Sequence, residues 1–299
     1  MRQQYLLVFA LILALIACSQ KGTEPKDDNY NDQEIASGDK EPKISKKELP
    51  RETETAVSLF NGNEIFISKE KNSAGKYDLR ARVDLVELKG TSDKNTGAGK
   101  LEGLKADKSK VTMTISDDLN TVTVETYDAS NKKTGSEVVK KQGSVIKESY
   151  KANKLDSKKL TRSNDTTLEY SQMTDEENAT KAVETLKNGI KFEGNLVGGK
   201  TTVKITEGTV TLKREIDKDG KIKVFLDDTA TDNTKKTGKW NENNNTLTVT
   251  VDSKKTKDLV FSDDGTSTIT VQKYNTAGTN LEGNPSEIKD LAALKGALK

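Results

Sequence analysis

The stretch Ser144–Lys151, which reads SVIKESYK, decides the fold of this chain. Alternate residues of a β-strand point to opposite faces. Val145 and Lys147 therefore share one face, and Ile146 and Glu148 share the other. Both faces carry charge, and burying unpaired charges is prohibitive. The segment is consequently either disordered or part of a sheet that meets water on both faces. Such a sheet is held by ladder hydrogen bonds, cross-strand ion pairs and aliphatic lysine stems. The regular alternation of Thr, Val and Lys favours the sheet.

Strand patterns with more apolar residues flank this region on both sides. Lys110–Ile115 alternates apolar residues with threonine, and Thr209–Ile216 and Lys221–Leu226 surround a turn at residues 217–220. Short strands separated by turn residues continue from about residue 57 towards the C-terminus. The pattern predicts an all-β protein whose centre is a single-layer sheet.

Two segments have helical patterns instead. Thr174–Glu177 has the form of a capping box and apolar residues follow at helical spacing, so we predict a short helix over Thr174–Asn188. Near the C-terminus, Ser286 follows Pro285 as a predicted N-cap, and an apolar stripe runs from Ile288 to Leu298. The second pattern predicts a C-terminal α-helix.

Composition limits what the chain can do. Of its 299 residues, 32% are hydrophobic, 5% aromatic and 32% charged, which is too little apolar material to fill two large cores. The 49 basic and 47 acidic residues leave a net charge of +2, so no strong field for nucleic acid is expected. Histidine is absent and cysteine occurs once, which excludes zinc sites and Ser/His/Asp or Cys/His triads. We expect no enzyme, no metal site and no cofactor.

The N-terminus has the form of a bacterial lipoprotein signal. Arg2 precedes an apolar run from Tyr5 to Ile16, which suits a signal peptide and is too short to span a membrane. Small Ala17 then precedes Cys18, the only cysteine. We predict cleavage between Ala17 and Cys18, a diacylglycerol thioether on the Cys18 sulfur and acylation of the new amine. Several acyl chains on one residue give stable anchoring in a membrane.

A polar segment separates this anchor from the first strand. It contains Pro25, Pro42 and Pro50 and shows no sustained periodicity, which is typical of a disordered tether. We therefore divide the chain into a signal peptide at 1–17, a lipidated tether at 18–56, an N-terminal sheet at 57–104, a central single-layer sheet at 105–173 and a C-terminal β domain with the terminal helix at 174–299.

Several runs of residues carry a resemblance to a known family. They are Leu13–Cys18, Lys69–Asn72, Val86–Lys94, Ala106–Lys110, Thr114–Asp118 and Ser253–Phe261. With these runs the chain resembles the outer surface protein A and B lipoproteins of Lyme-disease spirochaetes (Borrelia), and the long tether is closer to the B branch.

The resemblance implies an elongated antiparallel meander with a free-standing central sheet, globular ends and one terminal helix. The second helix predicted at Thr174–Asn188 departs from that pattern. The resemblance further implies a lipoprotein of the outer membrane surface that attaches to the gut of the arthropod vector. It also implies a pocket beneath the last helix, with an unnamed ligand.

Candidate recognition residues lie in the C-terminal part, at the end of the meander opposite the anchor. Trp240 is the only tryptophan, in a polar context, and Lys254, Lys255 and Lys257 cluster near a turn. Trp is enriched among binding hot spots. We expect truncation of Trp240 to weaken receptor or antibody binding without lowering the melting temperature. The alternative is that Trp240 packs onto the domain, and that the lysines are simply a solvated face.

Three functions remain open. The anchor, tether and exposed sheet favour an adhesin or coat protein, a monomer that contacts the membrane through its lipid and binds a vector gut receptor, host proteins or antibodies. A small-molecule or lipid carrier using a C-terminal pocket is the second. A hydrolase is the third, and no convergent pair of carboxylates supports it.

Overall fold

The computed structural model describes residues 49–299, which form twenty-one β-strands and one α-helix. The elements are β1 Glu54–Ser58, β2 Glu64–Lys71, β3 Tyr77–Val83, β4 Val86–Ser92, β5 Gly99–Leu104, β6 Lys110–Ile115, β7 Thr121–Tyr127, β8 Lys133–Lys140, β9 Val145–Lys151, β10 Lys154–Thr161, β11 Thr167–Asp175, β12 Asn178–Thr185, β13 Lys191–Val197, β14 Lys200–Glu207, β15 Val210–Ile216, β16 Ile222–Asp228, β17 Lys236–Asn241, β18 Thr246–Val251, β19 Lys254–Phe261, β20 Ile269–Tyr274, β21 Leu281–Glu287 and α1 Leu291–Leu298. The signal, Cys18 and most of the tether lie outside these described residues. Between residues 49 and 299 no helix has the length and apolar character to cross a membrane.

The strands form two antiparallel sheets in sequence order. β1 to β16 make the first sheet, and β17 to β21 make the second. The last strand of the second sheet, β21, is exposed along its whole length and contains Gly283 in the left-handed region and Pro285. The predicted all-β antiparallel meander with a C-terminal helix is confirmed.

Two separate hydrophobic cores lie along this meander. The N-terminal core is built from β2 to β7, with Leu88, Leu101 and Met113 fully buried. The C-terminal core draws on β12 to β16, on β18 to β20 and on α1, and it includes Phe192 and Leu294. Apolar residues at every second strand position supply both cores, as the alternation predicts.

The strands β8, β9 and β10 contribute no residue to either core. No residue of β9 is buried, although the strand pairs along its length with β8 and β10. Ion pairs cross between neighbouring strands on both faces: Glu137–Lys147 at 3.0 Å, Glu148–Lys158 at 3.3 Å and Lys159–Glu169 at 2.7 Å. The single-layer centre predicted from Ser144–Lys151 is thus present, with the cross-strand pairs that its charges require.

The helix predicted over Thr174–Asn188 is wrong. β11 runs to Asp175, Glu176 and Glu177 form the turn, and β12 returns from Asn178. Asp175 accepts hydrogen bonds from the backbone amide of Glu177 and the side chain of Asn178. The acidic residues that suggested a capping box therefore close a hairpin. Pairing of β12 with strands on both sides outweighs a weak helical pattern.

The C-terminal helix is present, but its predicted start is wrong. Pro285 and Ser286 belong to β21, and α1 begins four residues further on. Asp290 is the N-cap, and its carboxylate accepts a hydrogen bond from the backbone amide of Ala293 at 2.8 Å.

The tether predicted to end at Ala56 ends earlier. β1 begins at Glu54, and the Glu54 carboxylate binds the buried guanidinium of Arg80 at 2.7 Å. This ion pair adds to the backbone pairing of β1 with β2 and to the packing of Val57 on the N-terminal core, and hydrophobic periodicity did not reveal it.

Candidate functional site

A cluster of buried charges lies within the C-terminal core. Arg214 of β15 and Glu184 of β12 are both fully buried, and the Arg214 Nε donates to Glu184 Oε2 at 2.7 Å. The Arg214 Nη2 donates to Glu184 Oε1 at 3.2 Å and to the carbonyl of Gly265 at 2.7 Å. Arg162, just after β10, brings a second guanidinium to 3.6 Å from Glu184. The cluster thus connects the first sheet to the β19–β20 turn of the second.

This cluster holds two cations against one central carboxylate. Burial lowers the pKa of Arg162, an effect that the charge of Glu184 partly offsets and that of Arg214 reinforces. The Arg214 guanidinium lies 5.3 Å from the ring centre of Phe192 and 5.1 Å from that of Phe261. Its Nη1 is buried without a hydrogen-bond partner. A buried donor without a partner costs about 1–3 kcal/mol, so this nitrogen is held in the core at a cost to stability.

A polar network beside the cluster holds the β19–β20 turn in place. The Asn164 side-chain amide donates to Asp264 and to Thr266, each at 2.8 Å, across about a hundred residues of sequence. Burial raises the pKa of Asp264, but hydrogen bonds from Ser262 and Ser267 outweigh it and hold that pKa well below its usual range. The turn that presents the Gly265 carbonyl to Arg214 is therefore fixed from both sheets.

Trp240 lies in β17 and packs onto the C-terminal core. Its ring meets that of Phe261 edge to face, with centres 5.8 Å apart, and its Nε1 is buried without a partner. Lys236 and Gly238 share this face of β17, and the packing agrees with the alternative that Trp240 lies against the domain. The next turn is fixed by Glu242, whose pKa Lys221 and Lys223 lower to about 2.

The three candidate lysines divide into two groups. Lys254 and Lys255 are exposed after the Asp252–Ser253 turn, and the Lys255 ammonium lies 5.5 Å from the Tyr274 ring centre. Lys257 instead donates to the carbonyl of Ala297 at 2.7 Å, at the end of α1 where a cation is favourable. Burial lowers the pKa of Lys257. A role for Lys254 and Lys255 in recognition stays a prediction, and Lys257 has a structural contact that accounts for it.

Three concave surfaces are lined by β1 to β5, by β12 to β16 and by residues around the start of β7 and the end of β8. None of these three includes a residue of α1, so the pocket implied beneath the last helix stays a prediction. Among the described residues, no group of three or more acidic or Cys side chains could hold a metal ion.

Sequence reasoning missed the buried charge cluster, although one signal was available. Arg214 shares a strand face with Val210, Leu212 and Ile216, all buried. A lone arginine in an apolar row predicts a buried partner, because an unpaired charge cannot remain there. Its partner, Glu184, fell in the segment wrongly predicted to be helical.

An open antiparallel sheet joining two small cores, behind a predicted lipid attachment site, defines the class of surface-displayed β-sheet lipoproteins. The chain belongs to the Borrelia lipoprotein family, whose model matches residues 36–299. It is 68% identical over 298 residues to outer surface protein B of Borreliella burgdorferi strain B31, covering 98% of this chain and 99% of that protein. A second outer surface protein B of Borreliella burgdorferi is 62% identical over 299 residues, covering 99% of this chain and all of that protein. The resemblance drawn from the sequence is confirmed, and the protein is a lipoprotein of the outer membrane surface.

Proposed function

We propose that the protein is a non-catalytic adhesin, anchored through acyl chains on Cys18 after cleavage behind Ala17, that attaches the cell to the arthropod gut and to host components. The observation that supports this most is the sheet of β8, β9 and β10, which has no core yet is fully paired. Such a sheet is a spacer whose two faces both contact solvent, and it separates the C-terminal core, with its exposed turns, from the N-terminal core.

Protein contact is the function that this architecture serves best. A stable interface needs about 800 Å² on each partner, which one face of a three-strand sheet or a group of turns can supply. The exposed Lys254 and Lys255 lie beside the β20–β21 turn, where a Cβ on Gly278 would come within 2.9 Å of the Lys255 backbone nitrogen. These two turns therefore form one surface, and loops held by a sheet are where binding residues tend to lie.

The test compares two charge reversals on the lipidated protein displayed on beads. Lys254→Glu with Lys255→Glu changes the proposed surface, and Lys140→Glu with Lys141→Glu makes the same change on another exposed pair. We expect the first double variant to lose adhesion to isolated vector gut membranes by about tenfold, which corresponds to about 1.4 kcal/mol, while the control adheres normally. Equal adhesion by both variants and the unchanged protein would refute a role for this surface, and no adhesion by the unchanged protein would refute the adhesin.

The unpaired Nη1 of Arg214 supports a second candidate function, binding of a small molecule or lipid. A ligand with a carboxylate or carbonyl group would satisfy that donor. Native mass spectrometry of the purified protein is expected to show a retained mass that disappears in Arg214→Met. Detection of the bare polypeptide alone under gentle conditions would argue against a carrier.

A further inference from the structure

One end of the N-terminal sheet carries exposed apolar side chains at the tips of alternate turns. Phe60 follows β1, Leu85 follows β3 and Leu104 ends β5, with 37%, 76% and 68% of their surface exposed. In an antiparallel meander the turns after β1, β3 and β5 lie at the same end of the strands. The pairs Ser58–Glu64, Val83–Val86 and Leu104–Lys110 close these three turns. The three apolar residues, here called the apolar tips, therefore lie at one end of the sheet.

Leu85 is at a position where leucine is unfavourable for folding. Both residues of its two-residue turn have positive φ, 47° at Asp84 and 67° at Leu85. Three other turns share this geometry and carry Asn153, Gly199 and Ser253 at the same place. Only glycine, and to a lesser degree Asn or Asp, adopts the left-handed region readily. A large apolar side chain held there and pointed into solvent indicates a use outside the fold.

We propose that the apolar tips contact the bilayer that carries the protein's own lipid anchor. About thirty residues separate Cys18 from the first described residue, and a chain of that length spans at most about 100 Å. That length is enough for the tips to reach the membrane, and a tethered contact works at an effective concentration near the millimolar range. Three separate side chains on narrow turns are too small for a protein interface of the usual size. They suit shallow insertion between lipid headgroups. The inference depends on the proposed anchor at Cys18.

Charges beside the apolar tips balance one another. Lys105 and Lys108 are exposed next to Leu104, and Asp84 and Asp107 are exposed in the same turns. A contact driven by attraction to anionic lipid would need an excess of basic residues. The proposed contact is therefore apolar, forms on neutral phosphatidylcholine and persists at high salt.

The test uses the full-length lipidated protein in phosphatidylcholine vesicles with a nitroxide in the acyl region. Cys18 is the only cysteine, and its thioether is unreactive, so Leu85→Cys and Leu104→Cys each offer one thiol for a fluorescent label. Val197→Cys, at an exposed turn of the C-terminal part, is the matched control. We expect labels at 85 and 104 to be quenched about threefold more than the label at 197, equally in 0.1 M and 1 M salt.

Flotation of the same vesicles reports the anchor separately. Protein that does not float contradicts lipidation at Cys18, whereas protein that floats with equal quenching at 85, 104 and 197 overturns the proposed contact. The label at 85 could also become shielded without vesicles, to a degree that rises with protein concentration. That result would assign the apolar tips to contact with a second copy of the chain, and it too overturns the proposed membrane contact.

A further variant separates contact from folding. Leu85→Asn relieves the unfavourable backbone conformation and is expected to raise the melting temperature by about 2 °C. It is also expected to reduce quenching of a label at residue 104. A lower melting temperature would show that Leu85 serves the fold, which contradicts the inference.

Discussion

Removing the charge of Glu184 tests whether the buried cluster holds the C-terminal core together. Glu184→Gln keeps the shape of the side chain but leaves Arg214, fully buried and 2.7 Å away, without its counter-charge. Arg162 loses the same partner at 3.6 Å. Breaking a buried pair from one side costs about 3–5 kcal/mol, because the remaining ion stays desolvated. We expect a loss of that size from the free energy of unfolding.

Removing both charges should cost much less than removing one. Glu184→Leu with Arg214→Met replaces the pair by apolar groups, which is often neutral for stability. The Gly265 carbonyl then loses its donor, at a cost of about 1–3 kcal/mol. The double variant is therefore expected to be more stable than Glu184→Gln by about 2 kcal/mol, the difference between these two estimates.

The protein contains its own reporter for this measurement. Trp240 is the only tryptophan and packs on Phe261, whose ring the Arg214 guanidinium also contacts. Its fluorescence in urea therefore follows the C-terminal core. With a slope of about 3 kcal/mol per molar urea, the midpoint of Glu184→Gln should fall by about 1–1.7 M.

Glu137→Gln is the control, since it makes the same chemical change in the exposed pair with Lys147 at 3.0 Å. Exposed pairs contribute at most about 1 kcal/mol. If Glu184→Gln were no more destabilising than Glu137→Gln, the buried pair would not be desolvated and the reasoning would fail.

Four further predictions concern the anchor, the central sheet, Trp240 and pH. Cys18→Ala should move the protein out of the detergent phase in Triton X-114 partitioning, because no other side chain accepts the diacylglycerol. The control Ser19→Ala should stay in the detergent phase. A Cys18→Ala protein that still partitions into detergent contradicts the anchor. Amides of β9 should exchange slowly with deuterium because ladder hydrogen bonds protect them, and exchange at the rate of an unstructured peptide would show that a sheet without a core does not persist. Trp240→Ala should lower the free energy of unfolding by about 2 kcal/mol through lost packing, whereas charge reversal at Lys254 and Lys255 should not. An unchanged melting temperature of Trp240→Ala would instead favour its interpretation as a recognition residue. Arg80 holds the pKa of Glu54 below its ordinary value of 4.5, partly against burial. The stability that this ion pair contributes is therefore present above pH 4.5 and is lost as the pH falls through the lowered pKa. This loss should be absent in Glu54→Gln. Identical acid unfolding of the variant and the unchanged protein would exclude the pair as the cause.

Hydrophobic alternation was enough to predict most of the sheet. Lys110–Ile115 has the predicted limits, because its alternating apolar residues supply the N-terminal core directly. Even the strand at Ser144–Lys151, which has no core, followed from its regular alternation. Its neighbours on both sides confirm why, since they supply its hydrogen bonds and ionic partners.

Elements held by polar contacts could not be predicted in the same way. β1 is only five residues long and is held partly by the ion pair of Glu54 with Arg80. β12 has apolar residues at helical spacing, although it forms hairpins with both of its sequence neighbours, β11 and β13. The buried cluster needs Arg162, Glu184 and Arg214 to meet from three strands or turns. The sequence left open whether Trp240 packs onto the domain, because its partner Phe261 is twenty-one residues away. Such contacts depend on the tertiary arrangement, which local spacing does not encode.

The exposed last strand has a consequence for crowding on the cell surface. Lipoproteins anchored side by side form a concentrated layer, in which the unpaired edge strands of neighbouring molecules would tend to pair through backbone hydrogen bonds. β21 presents Pro285, which has no amide hydrogen to offer, and its backbone turns left-handed at Gly283. β1, one edge of the first sheet, is only five residues long. Neither strand is a good template for a neighbour, so pairing between copies through these two edges is disfavoured.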